Sequence, residues 1–165
     1  MKSVVVDTNL LVVANNRRIH PGSPKCVITC VKALLEIEQN GFLCLDDKMR
    51  IFDQYRRYAC FSGQPSMGDR FFKWAFNNQA NENLCERVVI NQRATDEYDL
   101  HEFPDDPDLV RFDRSDRVFI AVALTSSRSP KILQATDTRW QPHQSALEKH
   151  GVEIEFLCPD AFKPR

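Results

Sequence analysis

The chain has 165 residues, 42% of them hydrophobic, and 22 Lys and Arg nearly balance 23 Asp and Glu, which leaves a net charge of −1. This length and composition predict one globular domain with its own core, and they exclude a disordered or membrane-spanning chain. With no overall positive charge, any contact with nucleic acid has to come from local basic patches.

Six cysteines are spread along the chain, several of them inside apolar runs. The first residues, MKSVVVDTN, lack the pattern of a secretory signal. We therefore expect reduced, buried cysteines in a cytoplasmic protein rather than disulfides. Cys26 and Cys30 are one helical turn apart, but no second Cys or His pair stands at the spacing of a zinc site.

The first predicted element is a buried strand, Ser3–Val6, made of β-branched residues. Asp7 follows at its carboxyl end, and the apolar run Leu10–Ala14 continues as a helix. Because ligands bind open α/β sheets along the carboxyl ends of their strands, Asp7 is a candidate site residue. Thr8 and Asn9 can hydrogen-bond its carboxylate. The alternative is that Asp7 only caps the helix.

Asn15–Pro24 is a predicted loop that Arg17 and Arg18 make locally basic, so both are candidates for contact with a polyanion. Helical spacing of apolar residues then predicts a helix over Lys25–Gln39, with Gly41 as its stop.

The next elements are a second buried strand at Phe42–Leu45, which ends in two aspartates, and a helix over Lys48–Cys60. A second helix is predicted over Gly68–Gln79, whose dense aromatic residues indicate a core face rather than a base-stacking surface. Glu86–Asn91 is a third strand, and the acidic, proline-containing segment Arg93–Asp108 is a long ordered loop.

The segment Phe112–Leu124, FDRSDRVFIAVAL, is the centre of the predicted fold. It begins with Asp113 and Asp116 and continues in an apolar run, which predicts a helix packed on both sides. Asp116 lies on the same face as the core residues of this helix, where a charge is costly unless it is paired or binds a metal. The alternative is that both aspartates cap the helix.

The last elements are two strands. Lys131–Ala135 is followed by Thr136 and Asp137, which repeats the pattern of Asp7. Gly151–Leu157 alternates apolar and acidic residues, which is typical of a strand at the edge of a sheet.

Three acids, Asp7, Asp116 and Asp137, are therefore expected to converge on one side of a parallel sheet. Clustered carboxylates cannot all ionise unless a cation neutralises them. Mg²⁺ and Mn²⁺ prefer oxygen ligands, and an ion held in this way activates water for attack on a phosphodiester. The pattern points to metal-dependent phosphodiester hydrolysis.

The segments VVVDTNLLV, FDRSDRVFIAVAL and ILQATD resemble, in order and spacing, three motifs of the PIN-domain nucleases. The resemblance implies a single domain over residues 1–165 with a three-layer α/β fold, in which a central, mostly parallel sheet is flanked by helices. Residues 61–110 are longer than compact PIN domains need and form an elaboration. The resemblance also implies an Mg²⁺ or Mn²⁺ site that cleaves RNA. By matching position, Asp7, Asp116 and Asp137 are its metal-binding catalytic acids, and Asp113 is an auxiliary candidate for metal binding. We also expect four residues near these motifs to contact the substrate: Asn9, Arg17, Arg18 and Thr136.

This sequence departs from the family's pattern at the position of the fourth acid. PIN proteins place a glutamate in the helix after the second strand, and here Gln54 stands at that point. Asp53 is adjacent and is our candidate for the missing ligand, although one residue on a helix is a rotation of about 100°. Asp47 and Glu36 are its rivals.

Two functions follow from the resemblance. The first is a metal-dependent endoribonuclease, either a toxin or an RNA-processing enzyme. The second is a catalytically impaired PIN-like module that binds RNA or protein. A flap nuclease acting on DNA is a weaker third. RNA is the expected substrate, an antitoxin or other protein and a second copy of the chain are the expected partners, and no membrane is involved.

Overall fold

The computed structural model describes residues 2–17 and 23–162. Within them, five parallel strands form one sheet in the order β3-β2-β1-β4-β5. The strands are β1 (Lys2–Val6), β2 (Gly41–Asp46), β3 (Cys85–Val88), β4 (Lys131–Gln134) and β5 (Ile154–Phe156). The helices are α1 (Thr8–Asn15), α2 (Pro24–Asn40), α3 (Arg50–Arg56), α4 (Met67–Asn78), α5 (Arg117–Thr125) and α6 (Gln144–Lys149). The predicted α/β fold class is confirmed.

Strand β1 lies in the middle of the sheet and pairs with β2 on one side and β4 on the other. Val4, Val5 and Val6 are buried, as expected for a β-branched run that is covered on both faces. Because all strands run in one direction, the residues that follow β1 and β4 come to the same edge of the sheet. This arrangement brings Asp7 and Asp137 close to each other.

Helix α2 begins and ends where the sequence signals predict. The Ser23 hydroxyl accepts a hydrogen bond from the backbone N–H of Cys26 at 3.1 Å, which caps the helix. The expected core face, Cys26, Cys30, Leu34 and Ile37, is buried. At Gly41 the chain enters β2, and a Cβ there would lie 2.7 Å from the Cα of Ile37. Only glycine allows this close passage from helix to strand.

Two predicted elements are shorter than expected, and at each of them a carboxylate accepts hydrogen bonds from backbone N–H groups. The predicted helix over Lys48–Cys60 is helical only over Arg50–Arg56. The carboxylate of Asp46 accepts from the backbone N–H groups of Lys48, Arg50 and Ile51, which fixes a turn before the helix. The predicted strand Glu86–Asn91 ends at Val88, since the N–H of Ile90 donates to the Asp47 side chain. The sequence analysis also gave no element at α6.

The expectation of reduced cysteines is wrong for one pair. Cys26 of α2 and Cys158, which follows β5, form a disulfide. Cys30 lies close to both sulfurs and is a free, buried thiol. A separation of 132 residues between the partners leaves no spacing signal in the sequence. Searched over the described residues, the chain contains no helix that is both long and apolar enough to cross a membrane.

The disulfide generates a stability prediction. Closing a loop of 132 residues restricts the unfolded chain, so Cys158→Ser should lower the free energy of unfolding by up to about 5 kcal/mol. Chemical denaturation of both proteins measures the difference. Cys60→Ser, at an exposed free thiol, is the control and should change little. The prediction fails if Cys158→Ser matches the parent protein, or if a reductant leaves the difference between the two unchanged.

Candidate functional site

Asp7 is held at the carboxyl end of β1 from two sides. Its backbone N–H donates to the carbonyl of Leu133 at 3.0 Å, which extends the β1–β4 ladder. The Tyr55 hydroxyl of α3 donates to the carbonyl of Val6 at 2.7 Å. The Asp7 carboxyl is 2% exposed and accepts a hydrogen bond from the N–H of Asn9, so it also caps α1.

Asp116 is buried, and its side chain does not serve as a cap. Its Oδ2 accepts a hydrogen bond from the indole Nε1 of Trp140 at 3.0 Å, and it makes no capping bond to α5. Asp113 instead caps the 3-10 turn Arg114–Asp116 that leads into α5, and its Oδ1 accepts from the N–H of Ser115 at 2.9 Å. The capping alternative therefore holds for Asp113 and fails for Asp116.

Asp137 is positioned by a fully buried amide. The Gln134 side chain donates to the carbonyl of Asp137 at 2.8 Å and accepts from its N–H at 3.1 Å. Arg139, two residues further on, donates from Nε and Nη2 to the two carboxylate oxygens of Asp137, at 2.9 and 2.7 Å. It also reaches Asp113 at 3.4 Å. The guanidinium thus lies between two of the acids.

The pKa shifts indicate that the predicted acids interact with one another. Burial raises the pKa of Asp7 well above its ordinary value, and the charges of Asp116 and Asp137 add to this rise. Burial also raises the pKa of Asp116 to about 6; the charges of Asp113 and Asp137 act in the same direction, and the Trp140 hydrogen bond and the Arg139 charge act against it. The structure therefore brings Asp7, Asp116 and Asp137 together.

At Asp113 and Arg139, by contrast, the pKa shifts favour the charged forms. Burial acts to raise the pKa of Asp113, but hydrogen bonds from Ser115 and the charges of Arg139 and Arg117 outweigh it and lower this pKa. Hydrogen bonding to Asp137 raises the pKa of Arg139. Arg139 acts as the counter-cation of the acids at the outer side of the cluster.

The donor set suits a hard divalent cation, because it consists of carboxylate oxygens whose charges are incompletely compensated. The three carboxylates are farther apart than a single ion requires. Among the His, Cys, Asp and Glu ligand atoms of the described residues, the only three that all lie within 4.8 Å of one another are the sulfurs of Cys26, Cys30 and Cys158. The acids would have to draw closer, and Arg139 would have to leave Asp137. The Arg139 side chain is 67% exposed, but Asp137 is only 12% exposed and the two form a bidentate pair, so a cation would have to compete with Arg139 for Asp137.

The candidates for a fourth acid lie in different places. Asp53 forms an ion pair with Arg56 at 3.1 Å and its side chain is 58% exposed, whereas Gln54 is buried. Asp47 accepts from the N–H of Ile90. Glu36 lines a cleft at the opposite, amino-terminal edge of β1 and β2, which removes it as a ligand. A role for Asp53 stays a prediction that requires it to leave Arg56.

Two predicted substrate contacts bind each other instead. The side-chain carbonyl of Asn9 accepts from the backbone N–H of Thr136 at 2.6 Å and from its hydroxyl at 3.3 Å. This pair joins the end of β1 to the end of β4. It supports the site by keeping Asp7 and Asp137 in register.

A third predicted contact, Arg17, is occupied at the far end of α1. It binds the fully buried Asp69 through Nη2, at 3.1 and 2.8 Å. Helix α1 is 8 residues long, so Arg17 stands roughly 12 Å or more from Asp7. Arg18 lies outside the described residues.

Trp140, Arg139 and Gln134 were missed by the sequence analysis. The only local signal was the segment QATDTRW, in which a cation and an aromatic residue follow Asp137 within three positions. Arg139 contacts Asp113 and Trp140 contacts Asp116, both far away in the chain, and residue spacing does not reveal such contacts.

No protein-family model, no curated protein and no solved structure matches the chain. The site itself and the resemblance of the three motifs are therefore the only indications of function found for this chain.

The pKa of Asp116 generates a prediction for the metal-free protein. Because the folded-state value, about 6, exceeds the ordinary 3.8, the proton on Asp116 stabilises the folded state at low pH, and this stabilisation is lost as pH rises through 6. Asp116→Asn keeps an acceptor for Trp140 and removes the charge. We expect it to exceed the parent protein in free energy of unfolding at neutral pH by up to about 3 kcal/mol, with little difference near pH 4.

Denaturation in EDTA at several pH values measures this difference. Asp105→Asn removes the same charge from an exposed position and is the matched control. A destabilised Asp116→Asn at neutral pH would contradict the repulsion between the acids.

Proposed function

We propose that the protein is a divalent-metal-dependent endoribonuclease that hydrolyses RNA phosphodiester bonds. One observation carries the proposal: three carboxyl groups from different parts of the chain meet at the carboxyl edge of the sheet, and two of them are destabilised as anions. Buried like charges are costly for a fold and are typical of functional sites. The motif resemblance supplies the substrate class.

Asp7, Asp116 and Asp137 would hold Mg²⁺ or Mn²⁺. When bound, the ion supplies a water of lowered pKa and positive charge for the phosphate. Trp140 orients the Asp116 carboxylate, and Gln134 fixes the Asp137 backbone. Arg139 lies beside these acids, and its guanidinium would bind a phosphate oxygen of the substrate, for which its planar donors are suited.

A second function, an impaired module that binds RNA without cutting, is favoured by Gln54. This residue of α3 carries an amide where the resemblance places a glutamate, and it is buried. A neutral amide cannot offset the charge of a cation as a carboxylate does.

RNA is the partner that the nuclease requires, whereas the impaired module would bind RNA or a protein; binding to an antitoxin or to a second copy of the chain stays a prediction. One observation argues against the expected cytoplasmic location of the protein. Disulfides such as Cys26–Cys158 are typical of oxidising compartments.

Cleavage of a mixed RNA pool in Mg²⁺ or Mn²⁺ tests the proposal. We expect Asp7→Asn and Asp137→Asn to lower the rate by about 100-fold or more, since loss of even an outer-shell partner of a metal ligand costs 10- to 100-fold. Asp105→Asn is the control for charge and should cleave like the parent protein.

Gln54→Glu separates the two functions. If the parent protein binds RNA but does not cut it and Gln54→Glu gains activity, the impaired module is correct. If the parent cuts in EDTA, or if Asp7→Asn is fully active, the metal-dependent site is wrong.

A further inference from the structure

A cleft of about 260 Å³ is lined by Asp53, Gln54 and Ser115 but by none of Asp7, Asp116 and Asp137. Its walls come from α3, from the loop over residues 92–100 and from the turn that carries Ser115. Ser115 stands between Asp113 and Asp116 in the chain, so the cleft opens next to the acids. Pockets that enclose a drug-sized ligand measure roughly 300–1,000 Å³, so this one suits a smaller unit of a longer chain.

The cleft is locally basic in a chain whose net charge is −1. Four basic side chains line it, Lys48, Arg50, Arg57 and Arg114, against two acidic ones, Asp53 and Glu97. Their sum is +2. Clefts with one sign of charge concentrate ligands of the opposite sign. Arg50 is held by Asp46 and Asp47, and Arg114 pairs with Asp96. The Lys48 ammonium forms no salt bridge within residues 2–17 and 23–162.

An aromatic ring stands among these cations. Tyr98 is half-buried, and the Arg114 guanidinium lies 5.9 Å from the centre of its ring. A hydrogen bond with the Tyr98 side chain raises the pKa of Arg57. Leu100 and Val118 add buried apolar surface. An aromatic face beside cations is the combination that binds a base and its phosphates in single-stranded nucleic acids.

The loop that carries Tyr98 is ordered by its own backbone. Gln92 and Leu100 form an antiparallel bridge, and the N–H of Arg93 donates to the carbonyl of Asp99 at 2.7 Å. The ring is therefore presented by a closed loop, and less entropy is lost when a ligand binds.

We propose that this cleft binds one nucleotide of a single-stranded polynucleotide, with the base on Tyr98 and its phosphates on Arg57 and Lys48. The inference deepens the proposed function, on which its choice of RNA rests. A strand held here passes the turn between Asp113 and Asp116, which brings a neighbouring phosphate to the acids.

Fluorescence anisotropy of a labelled single-stranded RNA octamer in EDTA tests the cleft without cleavage. Tyr98→Ala should weaken binding about 5- to 150-fold, the range of one base–aromatic stack, and Tyr98→Phe should restore most of it. Tyr58→Ala, at an exposed tyrosine outside the cleft, is the matched control. Arg57→Ala should reduce the slope of log affinity against log salt by about 0.7, and its neighbour Arg56→Ala should reduce it by less.

Duplex RNA of the same sequence should bind without dependence on Tyr98, because its bases stay stacked. Single-stranded DNA distinguishes the polymer: binding equal to RNA would overturn the choice of RNA. Equal effects of Tyr98→Ala and Tyr58→Ala would overturn the cleft, even if the protein cleaves RNA. If Tyr98 governs binding but no metal supports cleavage, the cleft stands and the proposed catalysis fails.

Discussion

Asp7 places a carboxyl group where almost no water reaches it, and Asp116 and Asp137 add like charge at the same edge of the sheet. Burying a charge costs several kcal/mol unless it is compensated. Compensation here is incomplete: Trp140 hydrogen-bonds Asp116, Arg139 pairs with Asp137, and Asp7 receives only backbone N–H groups. The fold tolerates this cost because the parallel strands fix where the acids stand.

A second buried acid shows what full compensation looks like. Asp69 is completely buried, and it accepts from the backbone N–H groups of Cys60 and Ser66, from the Asn15 amide and from Arg17. These bonds tie α1, α4 and the segment between α3 and α4 together. Asp69 is therefore structural, whereas Asp7 forms no salt bridge with any residue in the described part of the chain. The contrast distinguishes a carboxylate whose charge is fully compensated within the fold from one whose charge is not.

The sequence predicted what depends on local pattern. The β-branched run Val4–Val6 and the apolar run before Asp137 predicted two buried strands, each followed by an acid. The spacing of apolar residues and Gly41 predicted helix α2. The sequence did not predict what depends on distant partners. Asp69 looks like an ordinary first-turn acid, and the Cys26–Cys158 bond joins opposite ends of the chain. The contact of Arg139 with Asp113 bridges two loops that only the folded sheet brings near each other.

We propose that the three acids form one cation site, in which Arg139 supplies the positive charge when no metal is bound. Calorimetric titration with Mn²⁺ tests this directly, without RNA. We expect the parent protein to bind Mn²⁺, Asp7→Asn to lose binding, and Arg139→Gln to bind about five- to tenfold more tightly, because a competing ion pair is removed. No binding by the parent protein, or equal affinity in all three, would contradict it.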